Sequence, residues 1–334
     1  MEHNIVFYGT KPYDKESFES LNKEYGFDLR YFKGNLTIDN VPLTKGSDAI
    51  CIFVNDNADR AVIKAMAENG IKLIALRCAG FNNVDLKAAE EFGIKVVRVP
   101  AYSPYAVAEY TLGLMLTLNR KIYRAVWRTR EGNFALHGLE GFDMHGRTAG
   151  IIGTGRIAKI LIHILRAMGM NVLASDPYPD HEFAKEEGIK YVSLDELYAG
   201  SDIISLHCPL TEENKYMINR NSIAKMKDGV MIINTGRGKL IDTEALIEGL
   251  KTKKVGSAGL DVYEEEGEYF YEDRSDVLID DDILARLLSF NNVILTSHQA
   301  FFTYEAMSNI ARTTLDNIKA FYQGEPLVNE VKAE

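Results

Sequence analysis

Short apolar runs of Val, Ile, Leu and Ala recur along the chain and alternate with stretches of helical periodicity. In the first hundred residues the runs Asn4–Tyr8, Asp28–Phe32, Ala49–Val54, Leu73–Leu76 and Lys95–Val99 read as strands. Helices are predicted between them near Lys15–Tyr25, Asp59–Asn69 and Leu86–Phe92. Strands interleaved with helices in this way imply a parallel sheet covered on both faces.

Pro100-Ala-Tyr-Ser-Pro104 interrupts the alternation, because two prolines can continue neither strand nor helix. A long, largely apolar helix is predicted after it over Tyr105–Arg130. A helix apolar on most faces must be buried on more than one side. Its amphipathic, arginine-rich second half favours a surface through which two subunits pack over a central core helix. From residue 149 the alternation resumes. Strands are predicted at Ala149–Ile152, Asn171–Ser175, Asp202–His207, Val230–Thr235, Val255–Leu260 and Val293–Thr296. Helices are predicted at Lys159–Met168, Asp195–Ala199, Arg220–Met226 and Thr243–Leu250, with an extended loop over Glu264–Asp282. A last helix, Thr303–Gln323, is expected to return to the first domain. The expected fold is α/β: two doubly wound, parallel-sheet domains, Rossmann-like or flavodoxin-like, with the active site in the cleft between them. One domain comprises residues 1–100 with 300–334 and the other residues 101–299.

The length, 334 residues, suffices for two cores. A formal charge of −10 argues against nucleic-acid or anionic-membrane surfaces, leaving a small molecule as the expected partner. The three cysteines, Cys51, Cys78 and Cys208, are scattered, which fits reduced thiols in a cytoplasm and no metal site. The N-terminal residues lack a signal-peptide pattern, and no apolar run reaches transmembrane length.

The strand ending at Ile152 runs into Gly153-Thr-Gly155-Arg156-Ile157-Ala158, a G-x-G-x-x-A turn opening a helix. Gly153 permits the tight turn, Gly155 lets backbone approach a pyrophosphate, and Ala158 lets helix pack closely on strand. Phosphates would then meet the free N–H groups and dipole of the helix N-terminus. Asp176, 21 residues after Gly155, ends the next strand. A carboxylate there can accept both ribose hydroxyls of adenosine and repel a 2′-phosphate, so NAD (NADH) is the expected cofactor. The plainer reading is that Asp176 only starts the Asp-Pro-Tyr-Pro turn.

Reactive groups in open parallel sheets gather beyond the carboxyl ends of the strands. Arg237, between Gly236 and Gly238, can hold a carboxylate by two parallel hydrogen bonds, or can be a surface arginine in a turn. His298 suits proton exchange near neutral pH, which carbonyl/alcohol interconversion requires, or can be a structural hydrogen-bonder. In Glu264-Glu265-Glu266 one carboxylate can hold the tautomer of that histidine while the others are solvated, and spacing does not choose among them. Asp261 is placed to bind a nicotinamide carboxamide. Cys208-Pro209 ends a strand beside the expected cofactor, where the proline can equally serve only to stop the strand.

Seven segments occur together and in order: Ala75-Leu-Arg-Cys-Ala-Gly-Phe-Asn-Asn-Val-Asp85, Val99-Pro-Ala-Tyr-Ser-Pro104, Gly153-Thr-Gly-Arg-Ile157, Ser205-Leu-His-Cys-Pro-Leu210, Asn234-Thr-Gly-Arg-Gly238, Gly259-Leu-Asp-Val-Tyr-Glu264 and Thr296-Ser-His-Gln-Ala-Phe301. In these the chain resembles, over essentially its whole length, the NAD-dependent D-2-hydroxyacid dehydrogenases, and within them the fermentative D-lactate dehydrogenases of bacteria. The resemblance implies reversible reduction of pyruvate to D-lactate, with Arg237 binding substrate, Glu266 as the histidine's partner and His298 as acid/base. It further implies that the Ala79 and Gly80 N–H groups meet the substrate carboxylate and that Tyr102 and Phe301 line the pocket. The implied cofactor contacts are Arg156, Ile157, Asp176, Cys208, Pro209, Asn214, Thr235, Gly236 and Asp261. Ala158 stands where the family often has a third glycine, a small-for-small change. A homodimer or homotetramer is implied as well. The rival expectations are the same chemistry on larger 2-keto acids, with Phe53, Tyr102 and Phe301 as candidate walls, and an NADH-sensing binding protein.

Overall fold

The computed structural model describes residues 3–333, so positions 1, 2 and 334 of the expected first domain lie outside the described residues. The chain divides into two compact units. Residues up to Ser103 together with those from Phe302 onward form one, and Pro104–Phe301 forms the other.

The first unit is built on strands β1 (Asn4–Phe7), β2 (Asp28–Tyr31), β3 (Ala49–Ile52), β4 (Leu73–Leu76) and β5 (Lys95–Val97). All pair in parallel, in the order β2-β1-β3-β4-β5. Every residue of β3 and β4 is buried, which is why these strands read as unbroken apolar runs rather than alternating ones. The returning helix Tyr304–Gln323 belongs to this unit and starts at Thr303, whose side chain accepts the Ala306 N–H.

The second unit is built on β6 (Thr148–Ile152), β7 (Asn171–Ser175), β8 (Lys190–Tyr191), β9 (Ile203–Leu206), β10 (Val230–Asn234), β11 (Val255–Leu260) and β12 (Val293–Leu295). Their order is β12-β11-β10-β9-β6-β7-β8, again all parallel. Because the strands are parallel, their carboxyl ends form one edge, and the chain direction reverses across the sheet between β9 and β6. A ligand crevice opens at such a reversal. The helix Arg156–Ala167 buries Ala158, Leu161, Ile162 and Leu165, an i, i+3, i+4, i+7 stripe packed with Ala149, Ile151 and Val172 of the sheet. Each such Leu or Ile contributes about 1.5–3 kcal/mol by leaving water.

The predicted long helix over Tyr105–Arg130 is two helices, Pro104–Asn119 and Ile122–Arg130. Lys121 adopts φ 49°, a left-handed conformation that no helix interior accommodates. The apolar pattern runs through this break and therefore conceals it. The first helix buries Ala108, Thr111, Leu114, Met115 and Leu118, whereas none of the second helix is buried. The short helices His181–Glu187 and Asp282–Leu288 and the two-residue strand β8 were not expected from periodicity. Within the predicted loop, one helical turn over 266–268 is followed by Phe270, which packs with Tyr263 and Leu284. Among the described residues, no helix is long and apolar enough to cross a membrane.

Candidate active site

Beyond the carboxyl ends of β12, β11, β10, β9, β6 and β7 the sheet order brings together six loops that carry the sequence candidates of the second unit. Arg237 follows β10. Asn234 locks its turn, donating from Nδ2 to the Arg237 carbonyl (2.8 Å) and accepting the Gly236 N–H on Oδ1 (3.0 Å). Gly238 cannot carry a side chain, since a Cβ there would lie 2.0 Å from the Tyr263 carbonyl oxygen. The turn is thereby pressed against the end of β11. The half-buried guanidinium makes one hydrogen bond, from Nη1 to the Gly236 carbonyl (2.9 Å), and no ion pair among the described residues. A partly buried cation with most of its donor fork unused is suited to capture a carboxylate.

His298 follows β12. Its Nδ1 lies 2.9 Å from Glu266 Oε1, with both side chains mostly out of water. The carboxylate fixes the tautomer with the proton on Nδ1, leaving Nε2 to exchange a proton. The structure gives each glutamate of the acidic run a different partner: Glu264 accepts from the Tyr216 hydroxyl (2.8 Å), Glu265 pairs with Lys239 (3.3 Å), and Glu266 holds His298. Glu266 Oε2 also accepts the Tyr263 N–H (3.2 Å), which ties it to the end of β11.

The histidine sits at φ 52°. A left-handed residue other than glycine costs about 1–2 kcal/mol and persists only where its surroundings hold it. The restraint comes from Asp261, whose Oδ1 accepts the Thr296 hydroxyl (2.6 Å) and the Gln299 N–H (2.9 Å) and whose Oδ2 accepts the Ala300 N–H (2.8 Å). The His298 N–H also donates to the Asp261 carbonyl (2.7 Å). Burial pushes the Asp261 carboxyl above the usual range, although these donors pull it back. Asp261 was expected as a cofactor contact. The structure adds that it anchors the histidine loop, a role that sequence spacing does not reveal. Tyr271, itself at φ 68°, donates to the His298 carbonyl (3.0 Å).

At the reversal point, Gly153 and Gly155 differ in what requires them. Gly153 has φ 86°, and a Cβ would meet the Cys208 backbone nitrogen at 2.6 Å. At Gly155 a Cβ would meet nothing within 4 Å, and φ is ordinary. Asp59, Asp180, Ser193, Asn219 and Asp242 cap other helices with side-chain acceptors, but Gly155 begins Arg156–Ala167 with none. Open space beside uncapped N–H groups fits a pyrophosphate. Gly153→Ala is therefore expected to destabilise the apoprotein by more than about 2 kcal/mol, from strain and overpacking. Gly155→Ala should cost under about 1 kcal/mol at the helix start yet weaken NADH binding. Thermal melts with NADH titrations separate the two, and equal melting losses would contradict the distinction.

Arg156 is exposed and Ile157 half-buried at the same helix start. Burial pushes the Cys208 thiol up to about 11, so it is a neutral packing group. Asn214 staples its turn, donating to the Pro209 carbonyl (2.7 Å) and accepting the Thr211 N–H (2.8 Å). The Thr235 hydroxyl is buried against that of Thr111 (2.9 Å). Phe301 closes the unit, 8% exposed. In the first unit, Ala79 and Gly80 follow β4. Their carbonyls accept from Arg98 Nη1 (2.9 Å) and Cys78 Sγ (3.3 Å), and the Tyr102 carbonyl accepts from Asn309 (2.7 Å). Among the described residues, no group of His, Cys, Asp and Glu is placed to hold a metal ion.

Residues 112–300 match the family described as D-isomer specific 2-hydroxyacid dehydrogenase, NAD binding domain. The chain belongs to the D-isomer specific 2-hydroxyacid dehydrogenases. It is 55% identical over 327 residues to a 2-hydroxyacid dehydrogenase homolog of Haemophilus influenzae, covering 98% of each chain. To the D-lactate dehydrogenase of Escherichia coli it is 52% identical, covering 98% of this chain and 99% of that one. The solved structure of the pyruvate reductase of Chlamydomonas reinhardtii superposes with a TM-score of 0.93 at 43% identity, covering 98% of both chains. This dehydrogenase therefore binds NAD, in the second unit that the family match covers, and acts on a small molecule.

Proposed function

We propose that this dehydrogenase reduces pyruvate reversibly to D-lactate. The observation that carries the reading is the coupling of His298 Nδ1 to Glu266 at 2.9 Å on the same sheet edge as Arg237, whose guanidinium spends only one hydrogen bond on its own turn. Near-full-length identity of 52% to a protein named D-lactate dehydrogenase supports the choice of substrate. NADH, when bound, supplies the hydride. Arg237 holds the substrate carboxylate by its fork and polarises the carbonyl. The N–H groups of Ala79 and Gly80 take the same carboxylate, and Tyr102 and Phe301 close on the methyl group. His298 gives its Nε2 proton to the carbonyl oxygen, and Glu266 stabilises the imidazolium in which that proton is held. Gly153, Gly155, Arg156 and Ile157 receive the pyrophosphate. Asp176 takes the ribose, while Cys208, Pro209, Asn214, Thr235, Gly236 and Asp261 line the rest of the cofactor site.

Residues 1–100 with 300–334 serve as the substrate-binding domain. The protein works in the cytoplasm as a homodimer or homotetramer, joined through Ile122–Arg130, where Ile122, Val126 and Trp127 are exposed, and the following Phe134 and Leu136, 76% and 79% exposed. Large apolar side chains clustered in this way mark an association surface. Sedimentation of a Trp127→Glu variant as the same species as wild type would refute that assignment.

The functional test is NADH oxidation across pyruvate, 2-ketobutyrate, oxaloacetate, 2-ketoisocaproate and phenylpyruvate, with the product enantiomer resolved. The expected result is a maximum at pyruvate giving D-lactate. A maximum at the larger acids would keep the mechanism and change the substrate, since a methylene more or less in a pocket shifts selectivity only about 10–200-fold. Turnover of none would favour an NADH-sensing role.

A further inference from the structure

Thr154, the residue between the two glycines of the turn, is buried, and its neighbours form a directed chain of hydrogen bonds. The Asp180 N–H donates to the Tyr191 hydroxyl (3.1 Å) and that hydroxyl donates to Thr154 Oγ1 (2.9 Å). Thr154 Oγ1 in turn donates to Asp176 Oδ2 (3.0 Å), which also accepts the Thr154 N–H (2.6 Å). The direction is forced. A backbone N–H at one end can only donate and an ionised carboxylate at the other can only accept. Both hydroxyl protons must therefore point toward Asp176, and bonds aligned in this way strengthen one another. Lys159 steadies the outer end through its ion pair with Asp180 (2.5 Å).

A carboxylate offers about four acceptor sites. Thr154 fills the two on Oδ2, and the Tyr178 N–H fills one on Oδ1 (2.8 Å). One site on Oδ1 remains among the described residues, enough for a single ribose hydroxyl rather than two. Burial opposes the charge on Asp176, yet the Thr154 and Tyr178 donors outweigh it and hold the carboxyl below the usual range.

We propose that Thr154 and Tyr191 are positioning residues for cofactor choice: their relay pins Asp176 with one open acceptor toward a ribose 2′-hydroxyl and keeps its negative oxygens where a 2′-phosphate would have to sit. The proposal rests on the reading of Asp176 as the ribose acceptor. Without the relay the carboxylate can turn aside, which weakens the grip on the hydroxyl and relieves the repulsion of the phosphate together.

The experiment measures NADH and NADPH dissociation constants by fluorescence titration of the full-length protein, with no substrate present. Tyr191→Phe and Thr154→Val should each weaken NADH binding roughly two- to tenfold, the loss of one net hydrogen bond, while NADPH binding stays constant or tightens. Thr154→Ser, which keeps the hydroxyl, should stay within about twofold of wild type for both. A purely structural role would weaken both cofactors in parallel, and that result, or no change in either variant, overturns the relay. If Thr154→Val does not fold, Tyr191→Phe decides alone. Asp176→Asn separates the two levels. If it leaves the preference for NADH intact, the ribose reading fails, and if it abolishes the preference while the relay variants do not, only the relay fails.

Discussion

Replacing His298 by asparagine is expected to lower kcat for pyruvate reduction by roughly 10²–10⁴-fold, the usual cost of losing a positioned general acid, while leaving NADH affinity within about twofold. Asparagine is the informative replacement because of the backbone. At φ 52° most side chains add strain, and asparagine tolerates the left-handed region best among residues other than glycine. The Asp261 clasp on Thr296, Gln299 and Ala300 does not involve the imidazole, so the loop should keep its shape. The amide can still donate toward Glu266 but has no proton to transfer at neutral pH. Single-turnover kinetics with NADH bound in advance would measure the chemical step directly. A rate within tenfold of wild type would remove His298 from the acid role.

That Glu266 is the partner of His298 depends on tertiary structure in a way the local sequence does not encode. Three consecutive glutamates have the same chemistry, and what separates them is the turn that sends Glu264 to Tyr216, Glu265 to Lys239 and Glu266 to the histidine. Resemblance to a family supplied the choice, whereas spacing did not. The strands, by contrast, were legible from the chain itself. A parallel strand buried on both faces, such as Ala49–Ile52 or Leu73–Leu76, must be apolar throughout, and few other elements look the same between turns. The two-residue strand β8 and the seven-residue helices His181–Glu187 and Asp282–Leu288 were not legible, because each completes at most about two periods. The break at Lys121 was hidden for a related reason, since both helices contribute apolar residues at nearly continuous spacing. Asp261 and Asn234 carry a subtler lesson. Asn234 stands in a motif read for its neighbours and Asp261 was read as a cofactor contact, yet each organises a loop through two or three hydrogen bonds, and only coordinates show how many donors a carboxylate or amide has gathered.

Truncating Arg237 to alanine should reduce kcat/KM for pyruvate by roughly 30- to 5,000-fold, because a carboxylate left without its buried cationic partner costs about 2–5 kcal/mol. Much of the loss should appear in KM, since the carboxylate is held in the ground state as well as the transition state. A further part should appear in kcat, since the same guanidinium polarises the carbonyl as negative charge develops. Arg237→Lys discriminates between charge and shape. Lysine retains the positive charge but not the planar fork, so it should recover only part of the affinity. Stability should change little in either variant, because the side chain makes one hydrogen bond to its own turn and Asn234 locks that turn through backbone atoms. NADH titration provides the control: a selective loss for pyruvate, with cofactor affinity unchanged, assigns Arg237 to the substrate. Parallel losses for pyruvate and NADH would instead mean that the turn had collapsed, and a pyruvate KM within twofold of wild type in Arg237→Ala would end its candidacy as the anchor.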